Sequence, residues 1–351
     1  MQLTTAEAMR RAIELAARGP DRGPNPRVGC VVLAPGPADA RRELLGEGRH
    51  RGAGTAHAEV AALADARARG VDVRGGTAVV TLEPCAHTGR TGPCVDALLE
   101  AGIAEVVYAV DDPNPTAAGG AELLRASGVT VRSGVEAAAA EELIRVWGTA
   151  ARLGRPYVTL KLAMSLDGKI AAADGTSQWL TSPTARQHAH RTRARVDAIA
   201  VGTGTALADD PALTARTPDG AALPEQPLRV VLGERELPAS AQLHDGRARL
   251  LQLRTHDVAA ALGELADREI RHVLVEGGAT VAGALLRADA VDELHVYLAP
   301  LLLGEGTAAV APFGVGTLEA ARRWRVVDTE RLGPDLFVRA RRATATTTEG
   351  A

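Results

Sequence analysis

Short apolar runs, rich in β-branched residues, alternate with helical segments along most of this chain. In the first half the predicted strands are 28–33, 77–82, 106–110 and 129–132, and the predicted helices are 5–17, 58–69, 95–101, 121–126 and 135–146. In the second half the predicted strands are 157–163, 198–201, 228–232, 250–253, 272–276 and 294–298, with helices at 182–195 and 281–287. Thr4 with Glu7, and Ser182 with Pro183, are typical of helix starts. This alternation predicts α/β layers.

The length of the chain, 351 residues, exceeds the size at which one hydrophobic core usually keeps growing. We therefore expect two domains, with a boundary between residues 148 and 155, where the pattern is interrupted. The prediction assigns 1–147 to the first domain and 148–342 to the second. Residues 343–351, which are rich in threonine, are predicted to form a disordered tail.

The composition argues against nucleic-acid and membrane partners. The formal net charge is -3 and aromatic residues make up 2% of the chain, so neither a basic surface nor a set of base-stacking rings is predicted. No apolar stretch is long enough to span a bilayer and the N-terminus lacks a secretion-signal pattern, so we expect a cytoplasmic protein. Three cysteines in such a chain favour metal binding or burial over disulfides.

The strongest chemical signal is a possible zinc site in the first half. His57-Ala58-Glu59 is followed by Pro84-Cys85 and, after a longer loop, by Pro93-Cys94. Catalytic zinc takes three His or Cys ligands and leaves its fourth position to water, so His57, Cys85 and Cys94 are suitable ligands for one Zn²⁺. Glu59, beside His57 in the same helical turn, is the predicted catalytic acid/base that moves a proton from water to a leaving amine. This arrangement is typical of a deaminase.

Two other interpretations of these residues stay open. A structural zinc ion would need a fourth protein ligand, for which His87 is the nearest candidate, although a place in the loop or at the substrate is the preferred interpretation of His87. The two cysteines could also be buried thiols that bind no metal. Cys30 lies within an apolar predicted strand and is predicted to be a buried core thiol.

Several segments of the first half resemble the bifunctional riboflavin biosynthesis family RibD. The segments are 24–29, 57–59, 81–85, 87–91, 93–94 and 112–115. Ordinary cytidine and guanine deaminases carry a Pro-Cys-x-x-Cys pair, whereas the longer loop between Cys85 and Cys94 is similar to that of riboflavin deaminases. The resemblance implies a cytidine-deaminase-like α/β/α domain, a pyrimidine substrate with a phosphoribosylamino group, and a substrate contact at Asn25.

The resemblance continues to about Arg341 and implies a dihydrofolate-reductase-like α/β domain that uses NADPH. Its motifs here are 161–169, 177–179, 209–214 and 275–278. The resemblance implies NADPH contacts at Ala163, Trp179, Thr205, Asp209, Gly278, Ala279, Thr280, Val281, Ala282, Gly283 and Ala284. It implies substrate contacts at Ser177, Arg193, Leu213, Arg216 and Glu276.

Physical chemistry supports parts of this assignment. The guanidinium groups of Arg193 and Arg216 suit a bidentate grip on a phosphate. Gly277-Gly278, between a strand and a helix, lets a backbone approach a phosphate at a helix N-terminus. Gly202-Thr203-Gly204 lacks the third glycine of a Rossmann fingerprint, so a different cofactor fold is expected. Lys161 and Asp167 are candidates for proton delivery, and Glu276 could instead cap the next helix.

The resemblance implies two consecutive reactions. The first domain would remove the ring amino group of 2,5-diamino-6-(5-phosphoribosylamino)pyrimidin-4(3H)-one by hydrolysis. The second would reduce 5-amino-6-(5-phosphoribosylamino)uracil to its ribitylamino product with NADPH. These small phosphoribosylaminopyrimidines are the implied partners, and the family implies a homo-oligomer.

Two rival hypotheses place the chain in other functional classes. A nucleic-acid-editing deaminase with a non-catalytic binding module would need the basic groove and aromatic rings that the composition lacks. In the other rival, one domain has lost activity and serves as a scaffold. All the positions of the zinc and acid/base set are filled, so the deaminase is not the expected inactive half.

Overall fold

The computed structural model describes residues 1–38, 40–87, 92–114 and 116–343. The predicted tail lies outside these residues apart from Ala343. The chain divides into two compact units, Met1–Gly154 and Arg155–Ala351. The division follows the end of a helix that runs to Leu153, and the predicted boundary after residue 147 falls inside that helix. No helix in the described ranges is both long and apolar enough to cross a bilayer.

Unit 1 has a six-stranded sheet with helices on both faces. Its elements are β1 (Gln2–Leu3), α1 (Thr5–Ala17), β2 (Gly29–Leu33), β3 (Arg42–Arg49), α2 (Ala58–Ala68), β4 (Thr77–Leu82), α3 (Cys94–Glu100), β5 (Glu105–Val110), α4 (Gly120–Ala126), β6 (Thr130–Ser133) and α5 (Ala137–Leu153). The strand order is β1-β3-β2-β4-β5-β6. Strands β4, β5 and β6 run parallel, so their carboxyl ends meet at one edge.

Two apolar clusters cover the faces of this sheet. Helix α1 buries Met9, Ala12 and Leu15 against one face. Helices α2, α3 and α4 contribute the second cluster on the other face, with Leu98 and Leu124 fully buried. The predicted helix over 5–17 and its Thr4–Glu7 capping box are confirmed.

Strand β3 was not predicted from the sequence, because two of its positions are glycines and interrupt the apolar pattern. A Cβ at Gly46 would lie 2.4 Å from the carbonyl oxygen of Ala62, and one at Gly48 would lie 2.4 Å from the nitrogen of the same residue. These glycines let helix α2 lie directly on the strand. The strand therefore depends on a tertiary contact and not on the alternation of apolar and polar residues.

Unit 2 has an eight-stranded sheet and a separate two-stranded one. Its elements are β7 (Tyr157–Ser165), β8 (Lys169–Ala172), α6 (Pro183–Arg193), β9 (Ala198–Gly202), α7 (Thr203–Asp209), β10 (Leu228–Leu232), η1 (Gln242–His244, a 3-10 turn), β11 (Leu250–Leu253), α8 (Val258–Asp267), β12 (His272–Val275), α9 (Ala279–Arg287), β13 (Glu293–Ala299), β14 (Gly306–Ala308), β15 (Trp324–Leu332) and β16 (Asp335–Arg342). The order in the large sheet is β11-β10-β9-β12-β7-β13-β16-β15, and β8 pairs with β14.

The first six strands of the large sheet are parallel, and β16 and β15 are antiparallel to their neighbours. In an open α/β sheet, ligands bind outside the carboxyl ends of the parallel strands. The segments that follow β7, β9 and β12 therefore define the expected site. The hairpin of β15 and β16 was absent from the prediction because β15 is mostly exposed and lacks an apolar run.

Candidate active sites

The three predicted metal ligands meet in unit 1. His57 directly precedes α2, Cys94 is the first residue of α3, and Cys85 follows β4 by three residues. Their ligand atoms all lie within 4.8 Å of one another. His57 Nδ1 is 3.1 Å from Cys94 Sγ and 3.5 Å from Cys85 Sγ. Within the described parts of the chain no fourth ligand joins this group, His87 included, so the donor set leaves the open position of a catalytic metal.

The two thiols are electrostatically different. A hydrogen bond from Cys94 lowers the pKa of the Cys85 thiol to about 4, and its contact with His57 acts in the same direction. The Cys94 backbone N–H at the start of α3 also donates to Cys85 Sγ at 3.4 Å. The neighbouring Cys85 thiolate raises the pKa of Cys94, and burial adds to this effect. Cys85 is thus the thiol that ionises more readily, and a bound dication would favour ionisation of both.

Glu59 lies against this cluster in the first turn of α2. Only 3% of its surface is exposed, and burial raises the pKa of its carboxyl to about 7. A carboxyl that titrates near neutral pH can take a proton and return it. Cys30 is fully buried in the core, as predicted, and lies close enough to Glu59 for the carboxylate charge to raise its pKa together with burial.

Asn25 is connected to the cluster through His50, which was not among the residues predicted for the site. Asn25 Nδ2 lies 2.9 Å from His50 Nε2. Because an amide nitrogen only donates, His50 Nε2 accepts, and Nδ1–H donates to the carbonyl of Ala56 at 3.1 Å. Burial lowers the pKa of His50, consistent with this neutral form. Its ring contacts that of His57 edge-on, with centroids 5.5 Å apart, and the only sequence signal for it is a histidine shortly before His57-Ala58-Glu59.

A second carboxyl lies near the cysteines at the carboxyl end of β5. Burial raises the pKa of Asp112 to about 6, although its hydrogen bond from the Asn114 N–H acts against this, and the charges of Cys85 and Glu83 raise it further. His87 also interacts with Asp112, and its buried Nδ1 has no hydrogen-bond partner among the described residues. Residues 88–91 and 115, which belong to the segments that resemble the family, lie outside the described residues.

Three charged residues form a cluster at the carboxyl ends of the strands in unit 2. Arg193 donates through Nε and Nη2 to both carboxylate oxygens of Glu276, at 2.5 and 2.8 Å. Lys161 Nζ lies 3.8 Å from Glu276 Oε2. The register explains this pair, because Leu160 is aligned with Val275 and the next residues on the two parallel strands are Lys161 and Glu276.

The cluster has a well-defined charge state. Burial alone would raise the pKa of Glu276, but the charges of Arg193 and Lys161 outweigh it and lower the pKa to about 2. Burial also lowers the pKa of Lys161, although the Glu276 charge opposes this. His190, which lies nearby, has its pKa lowered to about 4 by burial and by the charge of Arg193. Glu276 is thus ionised, and Lys161 is a cation that releases its proton more readily than an exposed lysine.

The residues predicted to contact the substrate differ in burial and in how many of their polar groups already have hydrogen-bond partners. The fork of Arg193 is taken up by Glu276, and its Nη1 donates to the carbonyl of Thr214 at 3.1 Å. Arg216 donates one side-chain hydrogen bond, from Nε to Thr214 Oγ1 at 2.9 Å. Its two Nη groups have no hydrogen-bond partner among the described residues. Leu213 is 2% exposed in an apolar cluster and has a φ of 45°, so its side chain is part of the core. Ser177 Oγ lies 3.5 Å from Asp209 Oδ1.

The predicted cofactor residues surround the turn from β12 into α9. Gly277 and Gly278 have φ angles of 86° and 78°, which glycine adopts without strain. A Cβ at Gly278 would lie 2.9 Å from Thr205 Oγ1, so these two segments border one narrow cradle.

The remaining predicted cofactor contacts are spread more widely. Ala279, Thr280, Val281 and Ala284 are in the first turns of α9, whereas Ala282 and Gly283 face the protein interior. Ala163 is half-buried in β7 and Asp209 is exposed at the end of α7. Trp179 is 69% exposed, with the Arg186 guanidinium 4.5 Å above its ring.

Asp167 accepts hydrogen bonds from Ser165 and from the loop that follows β13. Its carboxylate accepts hydrogen bonds from Ser165 Oγ at 2.5 Å and from the N–H groups of Leu303 and Gly304 at 3.2 and 2.7 Å. The Ser165 hydrogen bond is the main reason that the pKa of Asp167 is lowered to about 2. These donors favour the ionised form of the carboxylate and join it to the loop, and proton delivery by Asp167 stays a prediction.

Comparisons with known proteins assign both units. Residues 3–110 match the cytidine and deoxycytidylate deaminase zinc-binding region, and residues 156–338 match the RibD C-terminal domain. The riboflavin biosynthesis protein RibD of Mycobacterium tuberculosis is 50% identical over 317 residues, 90% of each chain. That of Escherichia coli is 40% identical over 363 residues, 93% of this chain and 96% of the relative.

Solved structures give the same result. Acinetobacter baumannii RibD superposes with a TM-score of 0.85 at 36% identity, covering 97% of this chain and 99% of that one. A Thermotoga maritima diaminohydroxyphosphoribosylaminopyrimidine deaminase/5-amino-6-(5-phosphoribosylamino)uracil reductase superposes with a TM-score of 0.82 at 34% identity and the same coverage. The predicted fold class, a cytidine-deaminase-like α/β/α domain followed by an α/β reductase domain, is confirmed. The chain belongs to the RibD family of riboflavin biosynthesis proteins.

Proposed function

We propose that this chain catalyses two consecutive steps of riboflavin biosynthesis, a hydrolytic deamination in unit 1 and an NADPH-dependent reduction in unit 2. The observation that carries the proposal is the convergence of His57, Cys85 and Cys94 from three separate segments, next to the buried Glu59. An arrangement with three ligands and a carboxyl that titrates near neutrality suits hydrolysis at a ring carbon better than a structural metal.

In the deaminase step, His57, Cys85 and Cys94 would hold one Zn²⁺ per chain. When bound, zinc supplies Lewis-acid activation of the attacking water. Glu59 accepts a proton from that water as the new C–O bond forms at the ring carbon, and it then donates the proton to the amino nitrogen as the C–N bond breaks. Ammonia leaves and the ring gains a carbonyl. Asn25, fixed by His50, would hold the pyrimidine in the pocket.

In the reductase step, the proposed substrate carries its sugar as a ribosylamino group that opens before reduction. Glu276 is held ionised by Arg193 and faces Lys161, so it can accept hydrogen bonds from the substrate while Lys161 supplies the proton. Arg216, whose Nη groups have no partner among the described residues, is the better candidate for the substrate phosphate, because the fork of Arg193 is already engaged.

The residues present also fit NADPH, which supplies the reducing equivalent when bound. The positive φ angles of Gly277 and Gly278 and the proximity of Thr205 leave a cradle that a Cβ would fill. Arg235 is exposed and lies shortly after the carboxyl end of β10. Its guanidinium is beside this cradle, because a Cβ at Gly204 would lie 3.1 Å from Arg235 Nη2. We assign Arg235 to the 2'-phosphate, because its exposed guanidinium lies beside the cradle and can bind a phosphate through two hydrogen bonds.

The first test is an assay of zinc-loaded protein with the diaminopyrimidine ribosyl phosphate. We expect ammonia with and without NADPH, and NADPH oxidation only after deamination. Ammonia without NADPH oxidation, even when the deaminated uracil substrate is supplied directly, would refute the reductase assignment and favour a silent second domain. No ammonia from zinc-loaded protein would refute the deaminase assignment.

A further inference from the structure

Glu83 is a buried carboxylate with no place in the proposed chemical steps. Only 7% of its surface is exposed, although it immediately precedes Pro84-Cys85. Its Oε1 accepts hydrogen bonds from the backbone N–H groups of Gly119 and Ala121, at 3.2 and 2.9 Å, and its Oε2 accepts one from the N–H of Asp112 at 3.2 Å. One side chain thus joins the turn that carries a proposed zinc ligand to two other segments.

The start of helix α4 depends on this contact. Its N-cap residue is Gly119, which provides no side-chain cap, so the carboxylate of Glu83 takes that role from a distant part of the chain. The packing is tight as well, because a Cβ at Gly120 would lie 1.8 Å from the carbonyl oxygen of Pro84. The first turn of α4 therefore lies directly on the backbone that leads into Cys85.

The same carboxylate sets the position of Asp112 relative to the cysteines. Asp112 is the second residue after β5, and its partly buried carboxyl interacts with Cys85 and His87. Its backbone is tied to Glu83 Oε2, while the Cys85 carbonyl accepts a 3.4 Å hydrogen bond from the N–H of Val95 in α3. Cys85 is thereby held between α3 on one side and the segment that Glu83 binds on the other.

The carboxylate of Glu83 matches its three donors because both of its oxygens accept hydrogen bonds. A carboxylate has two acceptor oxygens, whereas an amide has one acceptor oxygen and a nitrogen that donates. Glutamine at this position would leave a buried N–H without a partner, either that of Asp112 or those at the start of α4. Leaving such a group unsatisfied costs more than the average hydrogen bond contributes.

We infer that Glu83 is a positioning residue of the deaminase site, which fixes Cys85 and Asp112 relative to each other. The inference rests on the proposed function of unit 1. Glu83 acts through these two residues, so its loss should alter the metal geometry and the affinity for substrate more than it alters proton transfer by Glu59.

The test compares Glu83→Gln with Glu105→Gln in the full chain loaded with Co²⁺, whose visible absorption reports thiolate ligation. Glu105 is a matched control, because its carboxylate also accepts hydrogen bonds within the fold, from Thr77 and Arg132 at 2.8 Å each. It lies at the start of β5, whereas Asp112 follows the end of that strand. Ammonia release by the zinc form gives KM and kcat. Reduction of the separately supplied uracil substrate checks unit 2.

For Glu83→Gln we expect a shifted Co²⁺ spectrum and a KM raised about tenfold, the effect of losing one charge-assisted hydrogen bond, with kcat changed less. For Glu105→Gln we expect a lower melting temperature but an unchanged spectrum and KM. If Glu83→Gln proves unable to fold, Glu83→Asp keeps both oxygens on a shorter arm and should still shift the spectrum.

A spectrum and KM for the Glu83 variants that match those of Glu105→Gln would overturn the inference and leave Glu83 a purely structural residue. Failure of the proposed function is distinguishable, since the wild-type protein would then release no ammonia while its Co²⁺ spectrum would still report on Glu83.

Discussion

Replacement of Glu276 by Gln removes the negative charge that Arg193 and Lys161 share. The Glu276 side chain is 8% exposed, and the side chains of Arg193 and Lys161 are 16% and 22% exposed, so water compensates little for the loss. A pKa lowered from 4.5 to about 2 corresponds to about 3 kcal/mol of stability, at about 1.4 kcal/mol per pKa unit. Removal of one partner from a buried ion pair costs a similar amount, about 3–5 kcal/mol.

This free energy has a measurable consequence for unit 2. In a domain of about 200 residues, about 3 kcal/mol lowers the melting temperature by about 6–12 °C. Calorimetry of the full chain at neutral pH follows this transition. Glu330→Gln is the control, because Glu330 is 52% exposed and its pairing with His188 spans 3.7 Å, so its loss should cost less than about 1 kcal/mol.

The dependence on pH provides a second check. The folded-state pKa of Glu276 is depressed, so its stabilisation is present above the unfolded pKa of 4.5 and is lost as the pH falls towards about 2. The gap in melting temperature between the wild type and Glu276→Gln should therefore close over that window. Equal melting temperatures for the Glu276 and Glu330 variants at neutral pH, or a gap that persists at about pH 2, would refute the reasoning.

Three further predictions concern catalytic activity and cofactor binding. Glu59→Gln should lower ammonia release by about 10²–10⁴-fold while zinc content and NADPH oxidation with the uracil substrate stay unchanged, and loss of zinc from this variant would argue against a purely acid/base role. Removal of zinc with a chelator should abolish ammonia release and spare the reductase, which a coupled loss of both activities would contradict. Arg235→Leu should raise the Kd of NADP⁺ about tenfold, measured by fluorescence titration, and leave that of NAD⁺ unchanged. Equal effects on both nucleotides would exclude Arg235 as the 2'-phosphate contact.

Local sequence signals were sufficient for most of the secondary structure and for the proposed zinc ligands. The capping box at Thr4, the Ser182-Pro183 helix start and the apolar strands each depend on residues within a few positions of one another, and the structure contains all of them. The His, Glu and Cys residues of unit 1 were recognisable because zinc accepts few ligand types and their neighbours form distinctive motifs.

Other features depend on residues that are distant in the sequence. Helix α5 continues through the buried Gly148 to Leu153, beyond the predicted end at residue 146, because packing outweighs the low helix propensity of one residue. Strand β3 forms because Gly46 and Gly48 admit α2. The polar contacts of His50 and Glu83 likewise have no local signal.

The sequence by itself predicted α/β layers and the proposed zinc ligands, since these follow from local pattern and residue type, whereas the fold family of each unit and the predicted residues of unit 2 came from the resemblance to the family. Only the tertiary structure decided how those side chains are used. The register of the sheet sets Lys161 beside Glu276. Arg193 binds the same carboxylate, so its guanidinium, which the sequence assigned to a phosphate, is already hydrogen-bonded within the protein. Charge and donor capacity can be read from a residue type, but which partner satisfies them depends on distances that only the folded chain establishes.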